Sequence, residues 1–183
     1  MSIQPSQSPP GAGDPRVHLV LVGMMGAGKT TIGRLLAERW GVTYADNDEE
    51  LRRLTGRDPA ETARALGAVA LHRVEHDILV AAVRRCDGAV VGAPGSVALD
   101  ASADALLADQ RVVWLRARPG TLLARLSHGP ARPLLGKDPA AALTLLMRER
   151  EPGFERLADA IVDVDGLDAE VAVDTVARAV GRR

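Results

Sequence analysis

Val20-Leu21-Val22-Gly23-Met24-Met25-Gly26-Ala27-Gly28-Lys29-Thr30 matches Gly-x-x-x-x-Gly-Lys-[Ser/Thr] at every fixed position. The flanks give the motif the setting it needs. Val17 and the apolar run Leu19 to Val22 read as a buried strand, and a helical pattern follows with Ile32, Leu35, Leu36 and Trp40 on one face and Gly41 as its stop. Such a loop turns backbone N–H groups around phosphate oxygens at a helix N-terminus. Glycines permit the positive φ angles and the close approach. Gly26, Ala27, Gly28, Lys29, Thr30 and Thr31 are the expected contacts of a nucleoside triphosphate. Lys29 reaches the β- and γ-phosphates, and Thr30 offers its hydroxyl to Mg²⁺.

Outward from the loop, the chain alternates strand and helix signals, which predicts an α/β fold with a parallel sheet covered on both faces. The expected strands after the first are Val42 to Ala45, Ala89 to Val91, Val112 to Leu115 and Ala160 to Val164. Asp58-Pro59-Ala60-Glu61 combines an N-cap, proline at the first helical position and Glu at N3, so it opens a helix. Longer helices are expected over Ala68 to Arg85, with Leu71, Val74, Ile78 and Ala82 inward, and over Ala169 to Val180. Others run from Asp100 to Ala108, Thr121 to Leu126 and Pro139 to Arg150. Residues 127–138 carry two glycines, two prolines and no periodicity, the pattern of a mobile surface lid.

Composition narrows the classes. A chain of 183 residues makes one domain, expected over 16–183, that buries about 70% of its unfolded surface. Residues 1–15 are rich in Ser, Pro, Gln and Gly and lack the basic and apolar regions of a signal peptide, so a disordered leader on a cytoplasmic protein is expected. A net charge of −1 gives no broad attraction to nucleic acid or membrane, and no apolar run approaches spanning length. The single cysteine, Cys86, has no internal partner and reads as a small packed residue. A monomer acting on a small molecule is the expected form.

Ligands collect beyond the carboxyl ends of parallel strands. The first strand ends in the phosphate loop, the second at Asp46-Asn47-Asp48, the third at Gly92-Ala93-Pro94-Gly95. In an extended segment Asp46 and Asp48 point the same way. One carboxylate can order metal-bound water while the other accepts the proton of an attacking hydroxyl. The plainer reading is an acidic helix start, continued by Glu49 and Glu50. Arg132, inside the lid segment, suits an arginine delivered over a moving phosphoryl group, or a surface arginine in an arginine-rich chain. His72-Arg73-Val74-Glu75-His76 also matches the inverted zinc-peptidase pattern, with His72 and His76 one turn apart but no third ligand marked.

Together, Gly-x-x-Gly-x-Gly-Lys-Thr-Thr, the Asp-x-Asp after the second strand, Arg-Pro-Leu-Leu at 132–135 and Arg150 followed by Pro152 resemble shikimate kinase from about Val17 onward. The resemblance implies a three-layer α/β/α nucleoside monophosphate kinase-like fold with a five-stranded parallel sheet and a lid. It implies ATP-dependent phosphorylation of the 3-hydroxyl of shikimate, a step of aromatic amino-acid biosynthesis. By position, Asp46 would touch Mg²⁺ through water, Asp48 would orient or deprotonate the hydroxyl, and Arg132 would be the lid arginine. Arg125 would lie near the base, and Arg150 would clamp the substrate carboxylate.

The departures from the family pattern fall in the acceptor site. Where the family carries Gly-Glu-x-x-Phe-Arg-x-x-Glu, this chain has Gly67-Ala68-Val69-Ala70-Leu71-His72-Arg73-Val74-Glu75. His72 stands for the carboxylate-pairing arginine and is partly charged at neutral pH. The family's Gly-Gly-Gly aligns with Ala93-Pro94-Gly95, and Pro94 removes one N–H donor. Charged hydrogen bonds contribute about 1.5–3 kcal/mol and neutral ones about 1, so the two changes together cost a few kcal/mol of acceptor binding unless something compensates. Another polyol or cyclitol acid as acceptor, or a nucleotide-binding protein with a degenerate acceptor site, are the alternatives.

Overall fold

The computed structural model describes residues 17–85, 88–127 and 138–181. The expected leader (1–15), Cys86, and the lid segment with Arg132 lie outside these, apart from the lid's first and last residues. Five parallel strands form one sheet in the order β2-β3-β1-β4-β5. The central strand β1 (Leu19–Val22) is buried at all four residues, between β3 (Val90–Gly92) and β4 (Arg111–Arg116). This is why its sequence is a continuous apolar run rather than an alternating one. β2 (Tyr44–Asp46) and β5 (Ala160–Asp163) flank them.

α1 (Lys29–Trp40) begins at the loop and stops at Gly41, whose left-handed backbone (φ 64°) returns its N–H to Ala37 and Glu38. α8 (Ala169–Ala179) packs beside it and buries Ala172, Val173 and Val176. β2 is followed at once by α2 (Asn47–Thr55), then α3 (Pro59–Leu66) and α4 (Ala68–Val83). Asp58 and Glu61 form the expected reciprocal cap of α3. Leu51, Leu71 and Ile78 make a small second core that joins α2, α3 and α4 into a flap beside the sheet. Among the described residues no helix is long and apolar enough to cross a membrane.

Several boundaries differ from the sequence reading. β1 starts at Leu19 because His18, fully buried, does a different job there. Its Nδ1 accepts the Ala89 N–H at 2.9 Å, so Nε2 carries the proton and donates to the Arg85 carbonyl at 2.9 Å. One imidazole thus closes the turn between α4 and β3. β2 starts at Tyr44 rather than Val42. The expected helix from Asp100 is only α5 (Ala103–Leu107), because the Asp100 carboxylate accepts the N–H and hydroxyl of Ser102 and holds a turn. A 3₁₀ helix, Gly95–Leu99, was not foreseen.

The largest correction concerns α7 (Pro139–Leu157), expected to end at Arg150 ahead of Pro152. An internal proline costs about 3 kcal/mol. Here the helix continues because its last turns bury Phe154 completely and Leu157 almost so. Fully burying such side chains contributes about 1.5–3 kcal/mol each, enough to offset the break. Phe154 meets Trp114 of β4 with ring centroids 5.8 Å apart. Gly153 lies against the Ala98 backbone of the 3₁₀ helix so closely that a Cβ would overlap its carbonyl. α6 (Pro119–Ser127) precedes α7 and packs on it.

That contact sets the distance between α7 and the segment after β3. Gly153→Ala should lower stability by about 1–2 kcal/mol in urea denaturation, although alanine favours helix by about 1 kcal/mol. A gain in stability would refute the close contact.

Candidate active site

The site grows from the turn after β1. Gly23 has φ 143°, and a Cβ there would stand 2.6 Å from the Leu115 carbonyl oxygen, so only glycine fits. Gly28 (φ 98°) is the left-handed N-cap of α1 and leaves that helix end open to an anion. Lys29 folds back along the loop, donating to the Gly23 carbonyl at 2.8 Å and to Met24 at 3.2 Å. Thr30 and Thr31 are exposed in the first turn. Arg125, on α6, donates to the Val164 carbonyl at 2.9 Å and reaches the Gly26 and Ala27 carbonyls at 3.4 Å, so it braces the loop from behind.

Asp46 ends β2 and caps α2. Its Oδ1 accepts the N–H groups of Asp48 (2.9 Å) and Glu49 (3.2 Å), while Oδ2 accepts the Thr30 hydroxyl at 2.8 Å and the Tyr44 hydroxyl at 2.9 Å. The loop hydroxyl and the strand carboxylate therefore meet, two hard oxygen donors at the open end of α1, a set that fits Mg²⁺. Asp48 lies in the first turn of α2 and not in an extended segment, so strand alternation does not align it with Asp46. The helix-start reading is also met: Glu49 pairs with Arg34 and Glu50 with Arg53. Asp48 nonetheless lies close enough for its charge to act on the Glu75 carboxyl. Buried Asn47 donates to the Glu75 carbonyl at 2.9 Å, which fixes the start of α2 on α4.

On α4, Glu75 is buried, and the Ser96 hydroxyl donates to its Oε2 at 2.6 Å. Burial holds its carboxyl above the usual carboxylate range; the Ser96 bond and the charges of Arg150 and Lys29 oppose this, and Asp48 reinforces it. Those groups thus share one electrostatic environment. Burial lowers the Arg150 guanidinium below its ordinary value, against the pull of Glu75. The Arg150 Nε is buried with no partner among the described residues. Gly95 gives this side chain its room, since a Cβ there would stand 2.7 Å from Nη1. His72 is half-buried, and burial followed by the Arg150 charge pushes its imidazole below the usual histidine range. Pro94 has φ −67°, an ordinary proline angle, and presents no donor. A cavity of about 510 Å³ opens beside His72, lined also by His76, Pro94, Ser96, Asp100 and Ser102.

The zinc pattern on α4 is not realised. Glu75 turns to Ser96, and His76 Nδ1 bonds Asp100 Oδ2 at 2.6 Å. Among the described residues no three His, Cys, Asp or Glu side chains could hold a metal. Glu75, Ser96 and Tyr44 are site residues that the sequence reading missed. Glu75 had a signal, a carboxylate on the same helix face as Leu71 and Ile78.

A triphosphate loop with its lysine, beside an aspartate and a buried arginine at the ends of β1, β2 and β3, makes this a P-loop kinase for a small molecule. The family model for shikimate kinase matches residues 25–180, and the chain belongs to that family. It is 40% identical to the shikimate kinase of Streptomyces coelicolor over 83% of this chain and 88% of that protein. It is 36% identical to that of Thermobifida fusca over 87% and 92%. The structure of the Acinetobacter baumannii shikimate kinase in complex with shikimate superposes with a TM-score of 0.83, at 28% identity, over 90% of this chain and 93% of that one. The enzyme is an ATP-dependent phosphotransferase with an alcohol acceptor.

Arg125→Met removes the brace behind the loop. The KM for ATP should rise about tenfold with the acceptor KM unchanged, read from initial velocities. An unchanged ATP KM would mean that the loop holds its shape without Arg125.

Proposed function

We propose that this enzyme transfers the γ-phosphoryl group of ATP to the 3-hydroxyl of shikimate, within one kinase domain spanning about residues 16–183. The observation that carries the acceptor reading is the buried Arg150 guanidinium, whose Nε has no partner among the described residues, near Glu75 and His72. A permanent cation held in that environment calls for an anion, and a carboxylate bound bidentately supplies one. The relatives named above support shikimate as the molecule that carries it.

Each side chain then has a role. Lys29 exchanges the loop carbonyls for phosphate oxygens, and Thr30 and Thr31 hold the start of α1 against the same group. Thr30, and Asp46 by way of water, would hold Mg²⁺, which would offset phosphate charge when bound. Asp48 accepts the proton as the acceptor oxygen forms its bond to phosphorus and the bond from phosphorus to the β–γ bridging oxygen breaks, releasing ADP. Arg132 is assigned the lid role over the transferring group. Arg150 and His72 orient the carboxylate, with Pro94 and Gly95 as the facing wall. A different cyclitol or polyol acid remains the second reading, favoured by two observations: His72 in place of an arginine and Pro94 in place of a donor.

ADP formation by the purified enzyme with Mg·ATP should be stimulated by millimolar shikimate. Asp48→Asn should cut that stimulated rate by about 10²–10⁴-fold while ATP binding survives. ATP binding without shikimate stimulation would reject shikimate and favour the other acceptor class.

A further inference from the structure

Tyr44 is the one tyrosine of the chain, two residues before Asp46 on the same face of β2. Its ring occupies a slot between α1 and β3. A Cβ on Gly33 would collide with the ring edge, and a Cβ on Gly92 would collide with the hydroxyl. Neither glycine has a positive φ, so what requires glycine at both places is space rather than backbone conformation. Glycine inside a helix or a strand sacrifices local stability. The fold accepts that loss twice around a single side chain.

The slot delivers the hydroxyl to Asp46 Oδ2 at 2.9 Å, the oxygen that also takes the Thr30 hydroxyl at 2.8 Å. With the Asp48 and Glu49 N–H groups on Oδ1, four donors fix one carboxylate in one orientation. A phenol hydroxyl keeps its proton at neutral pH, so it serves as a donor to the carboxylate. The Thr30 hydroxyl donates to Asp46 and lies beside the Tyr44 hydroxyl, which holds its oxygen at the open end of α1.

We propose that Tyr44 is a positioning residue for the metal: it locks the Asp46 carboxylate, which in turn aims the Thr30 oxygen at the divalent cation. The proposal rests on the reading of Thr30 and Asp46 as the protein partners of Mg²⁺.

Tyr44→Phe keeps the ring in its slot and deletes only the donor. Mn²⁺ binding to the full-length enzyme with ADP, followed by the electron paramagnetic resonance of free Mn²⁺, should weaken about three- to tenfold. The Mg²⁺ concentration for half-maximal rate should rise in parallel. Metal-free ADP affinity and the acceptor KM should stay at the parent values, which a general loosening of the fold would shift. Unchanged or tighter Mn²⁺ binding overturns the proposal. Thr30→Val separates the two levels. If it weakens Mn²⁺ binding and Tyr44→Phe does not, only the role of Tyr44 fails; if it has no effect, the metal reading itself fails.

Discussion

The missing side chain at Gly23, against the Leu115 carbonyl, is the constraint on which the rest of the site depends. It lets the chain leave the central strand, turn within contact of the neighbouring strand, and start α1 with its N–H groups aimed back over the sheet. Once that helix end is fixed, the parallel order β2-β3-β1-β4-β5 brings the carboxyl ends of β2 and β3 to the same edge. Asp46 reaches Thr30, and the Ala93-Pro94-Gly95 segment faces α4. Arg125 closes the arrangement by tying the loop to the residue after β5. The phosphate half of the site is therefore set by backbone geometry, with few side chains needed to hold it.

The acceptor half is held by charge. Glu75 and Arg150 are withdrawn from water and shift in opposite directions from their ordinary values, as burial requires of an acid and a base. Neither is neutralised by a direct ion pair between them; Ser96 supports Glu75, and the Arg150 Nε is left open. Under the proposed function an anionic acceptor would complete this balance by pairing with the buried guanidinium. Gly153 and Gly95 make the geometry possible, one by letting α7 approach Ala98, the other by leaving room for the guanidinium.

Which parts were legible in the sequence follows from the same division. The strand, the glycine-rich turn and the helix that starts at Lys29 are local patterns and are legible in the sequence. Asp46 and Asp48 stand out as a pair in the sequence, but alternation does not align them: a capping carboxylate ends the strand at once, and Asp48 lies in the first turn of α2. The continuation of α7 through Pro152 was hidden because its cause is tertiary, the burial of Phe154 and Leu157. The Tyr44 slot was hidden for the same reason. Gly33 and Gly92 are far apart in sequence, and only the fold brings them to one ring. His72 and Pro94 were visible as departures, but the cavity beside them was not.

In the proposed function a titrating imidazole, in place of a permanent cation, would help Arg150 hold the acceptor carboxylate. His72 of α4 feels the charge of Arg150 on α7, while Arg73, His76 and Asp77 of its own helix and Asp100 after the 3₁₀ helix line the adjoining cavity. The direct measurement is the KM for shikimate from about pH 5.5 to 8 at saturating Mg·ATP, for the parent enzyme and His72→Arg. Because burial and Arg150 depress the imidazole, its charge is lost below the ordinary histidine value as pH rises. KM should climb about five- to tenfold on the acid side of neutrality and then level off, and His72→Arg should abolish the climb. A parent KM that is flat across that range would contradict the account.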